Sequence, residues 1–275
     1  MMQQISIFIY VALPCEAKPL VEYFRLKKDT TVQPFAVYFN KDICLTVTGL
    51  GKSAMAAGVA YTQALFAVTQ SPVLVNVGIA GHKDYVVGSL FLIDKITDFD
   101  SRKSYYPPLV FTPPCPTACI QTVSRPHSTY DLNHLCDMEA SAFYETATRF
   151  SSGELIHCLK IISDNELAPA ENIQPKQVAS LIAEHIVTIE TLLAELSRLA
   201  RLIALPELKL FESLIQRYHF TSSEQGQLKN QLSRWAALTQ PTESDMNPFD
   251  ENQFHKGKDV LYWLEQQIGK IEFFL

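Results

Sequence analysis

The run VLVNVGIAG at 73–81 decides the fold class. Its apolar positions do not alternate with polar ones, which is the pattern of a strand covered on both faces, and it ends in small residues. Upstream, ISIFIYVAL (5–13) has the same continuous character and stops at Pro14. The spacing of Leu20, Tyr23 and Phe24 predicts a short helix from Glu16. FAVYFN (35–40) and DICLTVTG (42–49) predict a hairpin turning at Asn40-Lys41. Gly49-Leu50-Gly51 then leads into an alanine-rich helix from Ser53 to about Val68. Downstream of the central run, SLFLIDKITD (89–98) is a further strand. Strands alternating with helices point to an α/β sandwich with a mixed central sheet.

Residues 100–135 carry Pro107, Pro108, Pro113, Pro114, Pro116 and Pro126, a density that excludes long regular elements and predicts a loop region. A helical pattern opens at Asp137-Met138-Glu139-Ala140. ELIHCLKIISDN (154–165) reads as a last buried strand, and 175–204 as one long amphipathic helix. A first domain is therefore expected over 1–204. Residues 205–275 show helical periodicity without strand patterns, interrupted at 221–226 and 239–253, and predict a helical C-terminal extension. Its last run, VLYWLEQQIGKIEFFL, including the tail Ile271–Leu275, is too apolar to face water and calls for a packing partner within the chain, on a second subunit or on a ligand.

A chain of 275 residues with 47% hydrophobic content can bury a full-sized core without disulfide or metal staples. The net charge of −6 and the scatter of its 23 Lys and Arg exclude bulk affinity for nucleic acid or an anionic membrane. The N-terminus lacks a positively charged leader, and no apolar run reaches the roughly 18 residues of a membrane span. A soluble cytoplasmic protein is expected, with Cys15, Cys44, Cys115, Cys119, Cys136 and Cys158 as free thiols.

Gly51-Lys52-Ser53 invites a phosphate-loop reading, but that loop needs a glycine where Thr46 stands. The dinucleotide fingerprint fails too, because Ala54 occupies its third glycine position. Cys115, Cys119, His127, His134 and Cys136 fall in one loop region, yet their spacings match no zinc pattern, so no metal is expected. Three carboxylates carry more information: Glu16 just past the first strand, Glu139 at a helix start and Asp164 at the end of the last strand. Ligands of α/β sheets sit at strand carboxyl ends, so Glu16 and Asp164 can face one crevice and form a base–acid pair. Equally, each carboxylate can serve only as a helix cap.

Together, VALPCEAKPL (11–20), TGLGKSAMAAG (48–58), NVGIAGHKDYVVGSLFLIDKITD (76–98), DMEASAFYETA (137–147) and LKIISDN (159–165) resemble the purine nucleoside phosphorylase/nucleosidase superfamily. Its methylthioadenosine/S-adenosylhomocysteine nucleosidase branch is the most similar. The resemblance covers about residues 5–200 and implies a three-layer α/β sandwich of the nucleoside phosphorylase type. It implies Glu139 as the acceptor of the ribose 2′- and 3′-hydroxyls, with Met138 under the sugar. Asp164 matches the general acid that protonates the purine, Ser163 helps hold the base, and Ala80 and Gly81 line its binding strand. Glu16 matches the residue that activates water, and Lys160 a basic residue that steers the nucleophile.

A phosphorylase needs arginine-rich anion binding, whereas a hydrolase needs a base aimed at water. The family's phosphorylase-type arginines are missing and Glu16 is present, so the expected activity is hydrolysis of the N-glycosidic bond of a purine nucleoside or a 5′-modified one. Neither metal nor organic cofactor is expected, and a homo-oligomer is. The alternatives are a phosphorylase using phosphate as co-substrate, and a nucleoside-binding or interaction protein without turnover. Departures from the family are Ile79, where a small hydroxyl residue is usual, His82, where glycine is usual, and a short 99–136 segment. Tyr105, Tyr106, Phe111 or His127 are the candidates there for contacting the base, and the C-terminal extension is a candidate lid.

Overall fold

Every residue of β1 (Ile7–Val11) is buried, so the strand has no solvent face and its sequence shows no alternation. The computed structural model describes residues 5–32, 34–66, 71–125, 133–203, 207–239, 249 and 254–272. The chain folds as two units, residues 1–201 and 202–275.

In the first unit β1 is followed by α1 (Pro14–Tyr23), the short β2 (Lys27–Lys28), β3 (Ala36–Asn40), β4 (Ile43–Val47) and α2 (Lys52–Phe66). Pro14 ends the strand and opens the helix, where its fixed φ and missing N–H cost nothing. β3 and β4 form the expected hairpin, with Lys41 at φ 52° in its turn. β5 (Val73–Gly81) and β6 (Leu90–Asp98) follow, then β7 (Ser104–Tyr105), β8 (Thr117–Thr122), β9 (Leu135–Asp137), α3 (Ala140–Ala147), β10 (Ile156–Asp164), α4 (Pro175–Glu184) and α5 (Ile186–Ile203).

The sheet is mixed. β1 lies between β4 and β5, parallel to both, and the β4–β3–β2 arm continues antiparallel from there. On its other side β5 meets both β10, in parallel, and β9, through Gly81 and Cys136. β10 pairs with β6, β6 with β8 and β8 with β9, so this half of the sheet closes on itself. Phe8 and Tyr10 share a core with Met55 and Val59 of α2 and Ala140 and Phe143 of α3. The alternating residues Ile7, Ile9 and Val11 point to the opposite face, where α1 packs with α4. These are the three layers of an α/β sandwich.

Two expectations are corrected. The proline-rich 100–135 segment contains a six-residue strand, β8, which enters the sheet directly after Pro116, where no proline interrupts its ladder. The helix expected over 175–204 is two helices bent by 56° at His185, whose Nε2 lies 2.6 Å from the Gly88 carbonyl oxygen. Among the described residues, no single helix is long and apolar enough to cross a membrane.

In the second unit α6 (Glu207–Arg217), α7 (Ser222–Thr239) and α8 (Gly257–Glu272) have their own core. Leu228, Leu232 and Trp235 of α7 meet Val260, Leu264 and Ile268 of α8 there, with Phe249 packed edge-on against Trp235 and Trp263. Most of the apolar run of the last helix is thus covered within its own unit. The side chains of Ile271–Leu275 lie outside the described residues.

Candidate active site

A cavity of 160 Å³ opens where the carboxyl ends of β1, β5 and β10 meet the start of α3. Glu16, on the first turn of α1, is 2% exposed. Its Oε2 accepts from the backbone N–H of Ala12 (2.9 Å) and Leu13 (2.8 Å), and its Oε1 from Ile79 N–H (3.0 Å). The Leu13 bond caps the helix, whereas the Ile79 bond ties the carboxylate to the central strand. A carboxylate has about four acceptor positions, so one is left for a water or a substrate proton. Burial raises the pKa of Glu16, while these amides and Lys160 pull it back.

Asp164 stands opposite on β10. The pairing of β10 with β5 is irregular between Ile162 and Asp164, and Asp164 lies opposite Gly81. Such an irregularity re-aims side chains, and here Ser163 and Asp164 both line the cavity. Ser163 Oγ donates to Asp164 Oδ1 at 2.5 Å. A Cβ on residue 81 would lie 2.5 Å from Asp164 Oδ2, so only glycine accommodates the carboxyl there.

Glu139 precedes α3 but does not cap it. Asp137 does, its Oδ2 accepting from Ala140 N–H at 2.8 Å. Glu139 instead accepts from Gly51 N–H at 2.7 Å, across 88 positions of sequence, with Gly51 at φ +92°. Burial, with Asp137 adding repulsion, pushes its pKa up to about 7. Beneath the cavity, Lys160 Nζ is 2.8 Å from Asp137 Oδ2, with side-chain exposures of 1% and 0%. Burial lowers the Lys160 pKa, but Asp137 and Glu139 more than offset this and hold the amine charged. Gly78 lets Lys160 and Glu16 converge, because a Cβ there would sit 3.1 Å from Glu16 Oε1 and 3.3 Å from Lys160 Nζ.

Glu16, Met138, Glu139, Ser163, Asp164, Ala80 and Gly81 thus line one cavity. Lys160 is not in that lining: its amine lies under the wall, paired with Asp137 and close to Glu16. Tyr105 and Phe111 are likewise absent from the cavity wall, packing on Tyr144 and His157 respectively. Tyr106 is 65% exposed. His127 lies outside the described residues. The phosphate-loop residues are committed elsewhere, Gly51 N–H to Glu139 and Lys52 Nζ to Asp98 (2.9 Å) and Asp100 (2.6 Å).

The wall also holds residues given no role in the sequence, notably His82, His134, Leu50 and Asp137. His82 Nδ1 accepts from Asp84 and Tyr85 N–H, both at 3.1 Å, and its ring stacks on Tyr85 at 4.0 Å. Burial lowers its pKa, and the ring is neutral with its proton on Nε2. Among the described residues, no three His, Cys, Asp or Glu side chains are grouped to hold a metal, and none of the six cysteines is in a disulfide.

The model of the phosphorylase superfamily matches residues 6–127. The first unit has the phosphorylase-superfamily fold. Solved structures with that fold include the Helicobacter pylori 5′-methylthioadenosine/S-adenosylhomocysteine nucleosidase, as a mutant with 5′-methylthioadenosine in the active site. It is 15% identical with a TM-score of 0.58, over 71% of this chain and 100% of that one. The futalosine hydrolase of the same organism is 16% identical with a TM-score of 0.58, over 70% and 98%. The Arabidopsis thaliana 5′-methylthioadenosine nucleosidase is 19% identical with a TM-score of 0.54, over 70% and 96%. No curated protein sequence matches the chain. In this unit the cavity lies at strand carboxyl ends, where α/β folds bind their ligands.

Proposed function

We propose that the first unit hydrolyses the N-glycosidic bond of a purine nucleoside or a 5′-modified purine nucleoside, without metal or organic cofactor. The observation that carries this reading is the convergence of Glu16, Glu139 and Asp164, from three separate segments, on one cavity with no arginine in its described lining. Phosphorolysis needs a fixed anion site, and Lys83 and the neutral His82 are poorly suited to form one. Lys83 Nζ is 3.6 Å from Asp84, and His82 already accepts two backbone N–H bonds through Nδ1.

In this mechanism ionised Glu139 accepts the vicinal ribose hydroxyls and fixes the sugar. Asp164, in its protonated form, gives its proton to the purine as the bond from the base to the ribose anomeric carbon breaks, so that the base leaves neutral. Positive charge then develops on the sugar, and the surrounding carboxylates stabilise it electrostatically. Water attacks the anomeric carbon and its proton passes to the remaining acceptor position of Glu16. That proton returns to Asp164 through solvent after release of the base and ribose. Lys160 stays charged throughout and reaches the site only through Asp137 and its field.

The homologous structures named above, nucleosidases and a hydrolase, support this chemistry as a class, and the base and 5′ group are proposals. A second reading, nucleoside binding without turnover, is favoured by Ile79, whose apolar side chain stands where the resembled nucleosidases carry a hydroxyl. The test is release of free base from methylthioadenosine, adenosine, inosine and guanosine, with and without phosphate, in wild type and Asp164→Asn. Phosphate-independent release that the substitution abolishes is the expected result. Release that requires phosphate would establish the phosphorylase, and binding without any release the second reading.

A further inference from the structure

The cavity of 160 Å³ is below the roughly 300–1,000 Å³ typical of sites that enclose a small molecule. A second recess of 340 Å³ adjoins it. Ser163 lines both, and the loop after β10 divides them, with Ala168 and Pro169 facing the recess and Ala170 the cavity. Val87, Ile173 and Leu181 give the recess an apolar wall, while Gln177, Ser180 and Glu184 of α4 supply polar groups. The bond between His185 and the Gly88 carbonyl, at 2.6 Å, anchors the end of α4 to the loop that carries Val87.

We propose that this recess is an extension of the base subsite, and that the substrate is a purine nucleoside carrying an uncharged or cationic, partly apolar substituent on the base edge facing Ser163 and Asp164. The inference rests on the nucleosidase reading, which sets the ribose at Glu139 and the base at Asp164. A group passing Ser163 is then attached to the base and not to the sugar. No Lys, Arg or His is among the described residues of the recess, and Glu184 is, so an anionic substituent would meet only like charge.

The experiment compares kcat/KM for adenosine with the ribosides of 6-benzylaminopurine and 8-benzylaminopurine, in wild type, Ser180→Trp and Gln177→Trp. Both positions are exposed on α4 and neither lines the cavity, so the added bulk narrows the recess without entering the site. One extended riboside is expected to exceed adenosine by about tenfold, the scale on which an apolar pocket discriminates, and each tryptophan is expected to erase that advantage while adenosine is unchanged. Equal values for all three ribosides, or a ratio that neither tryptophan alters, would overturn the subsite. If no riboside is cleaved, the hydrolase reading fails, and calorimetric binding decides the recess separately. Tighter binding of an extended riboside by about tenfold in wild type alone sustains it, and equal affinities overturn it.

Discussion

Replacing Lys160 by methionine keeps the length and apolar stem of the side chain and removes only its charge. Asp137 is fully buried, and its Oδ2 accepts from Lys160 Nζ at 2.8 Å and from Ala140 N–H at 2.8 Å, while Oδ1 accepts from Thr122 Oγ1 at 2.7 Å. Two neutral donors would remain for a carboxylate cut off from water. Breaking a buried pair from one side costs about 3–5 kcal/mol. For a unit of this size each kcal/mol moves the melting temperature by about 2–4 °C, so a drop of roughly 6–20 °C is expected. Both tryptophans, Trp235 and Trp263, belong to the second unit, so the assay is calorimetry with tyrosine near-ultraviolet dichroism in place of tryptophan fluorescence. The double substitution Asp137→Asn, Lys160→Met removes the orphaned charge and is expected to recover at least half of the loss, as coupled partners do. A single Lys160→Met variant that melts within about 2 °C of wild type, less than one kcal/mol, would refute the reasoning. So would a double variant no more stable than the single one.

Further expectations concern the site and the core. Gly81→Ala places a methyl against Asp164 Oδ2 and is expected to lower kcat by about a hundredfold, the effect of a misplaced catalytic group, with an unchanged far-ultraviolet spectrum. Glu139 is raised from 4.5 to about 7, and only its ionised form accepts two hydroxyls, so KM for the nucleoside is expected to fall as pH rises through that value. The same raised pKa contributes stability that is complete below 4.5 and lost as pH climbs through about 7, so Glu139→Gln should denature later in urea than wild type at alkaline pH. His157 is fully buried, and burial pushes its pKa from 6.5 down to about 4. Its neutral form contributes stability present above 6.5 and lost as pH falls toward 4, about 3 kcal/mol by linkage, and His157→Leu is expected to flatten that decline in urea titrations.

The sheet was legible because its central strands are buried on both faces, and continuous runs such as 5–13 and 73–81 announce that directly. Glu16 and Asp164 were legible from their positions at strand ends. β8 was hidden because Pro113, Pro114 and Pro116 dominate its surroundings, although the strand itself begins after them. The break at His185 was hidden because both helices keep one apolar stripe, through Val178, Ile182, Ile189 and Leu193, and only the contact to Gly88 shows where the axis bends. The role of Lys160 was out of reach for a different reason. Its partner Asp137 is brought to it by the short β9, which pairs through Cys136 with Gly81 of β5 and through Asp137 with Thr122 of β8, and no local pattern encodes that register. His82 carried a signal, a bulky ring in place of a glycine, but its fixed tautomer follows from the backbone turn at 82–85.

The most direct measurement is mass analysis of the sugar released from the best-cleaved nucleoside in water enriched in heavy oxygen, with phosphate present. If Glu16 aims water at the anomeric carbon while Asp164 protonates the base, wild type yields free ribose, or its 5′-modified counterpart, labelled at that carbon. Asp164→Asn then yields none. Ribose 1-phosphate without label, or undiminished release by Asp164→Asn, would contradict it.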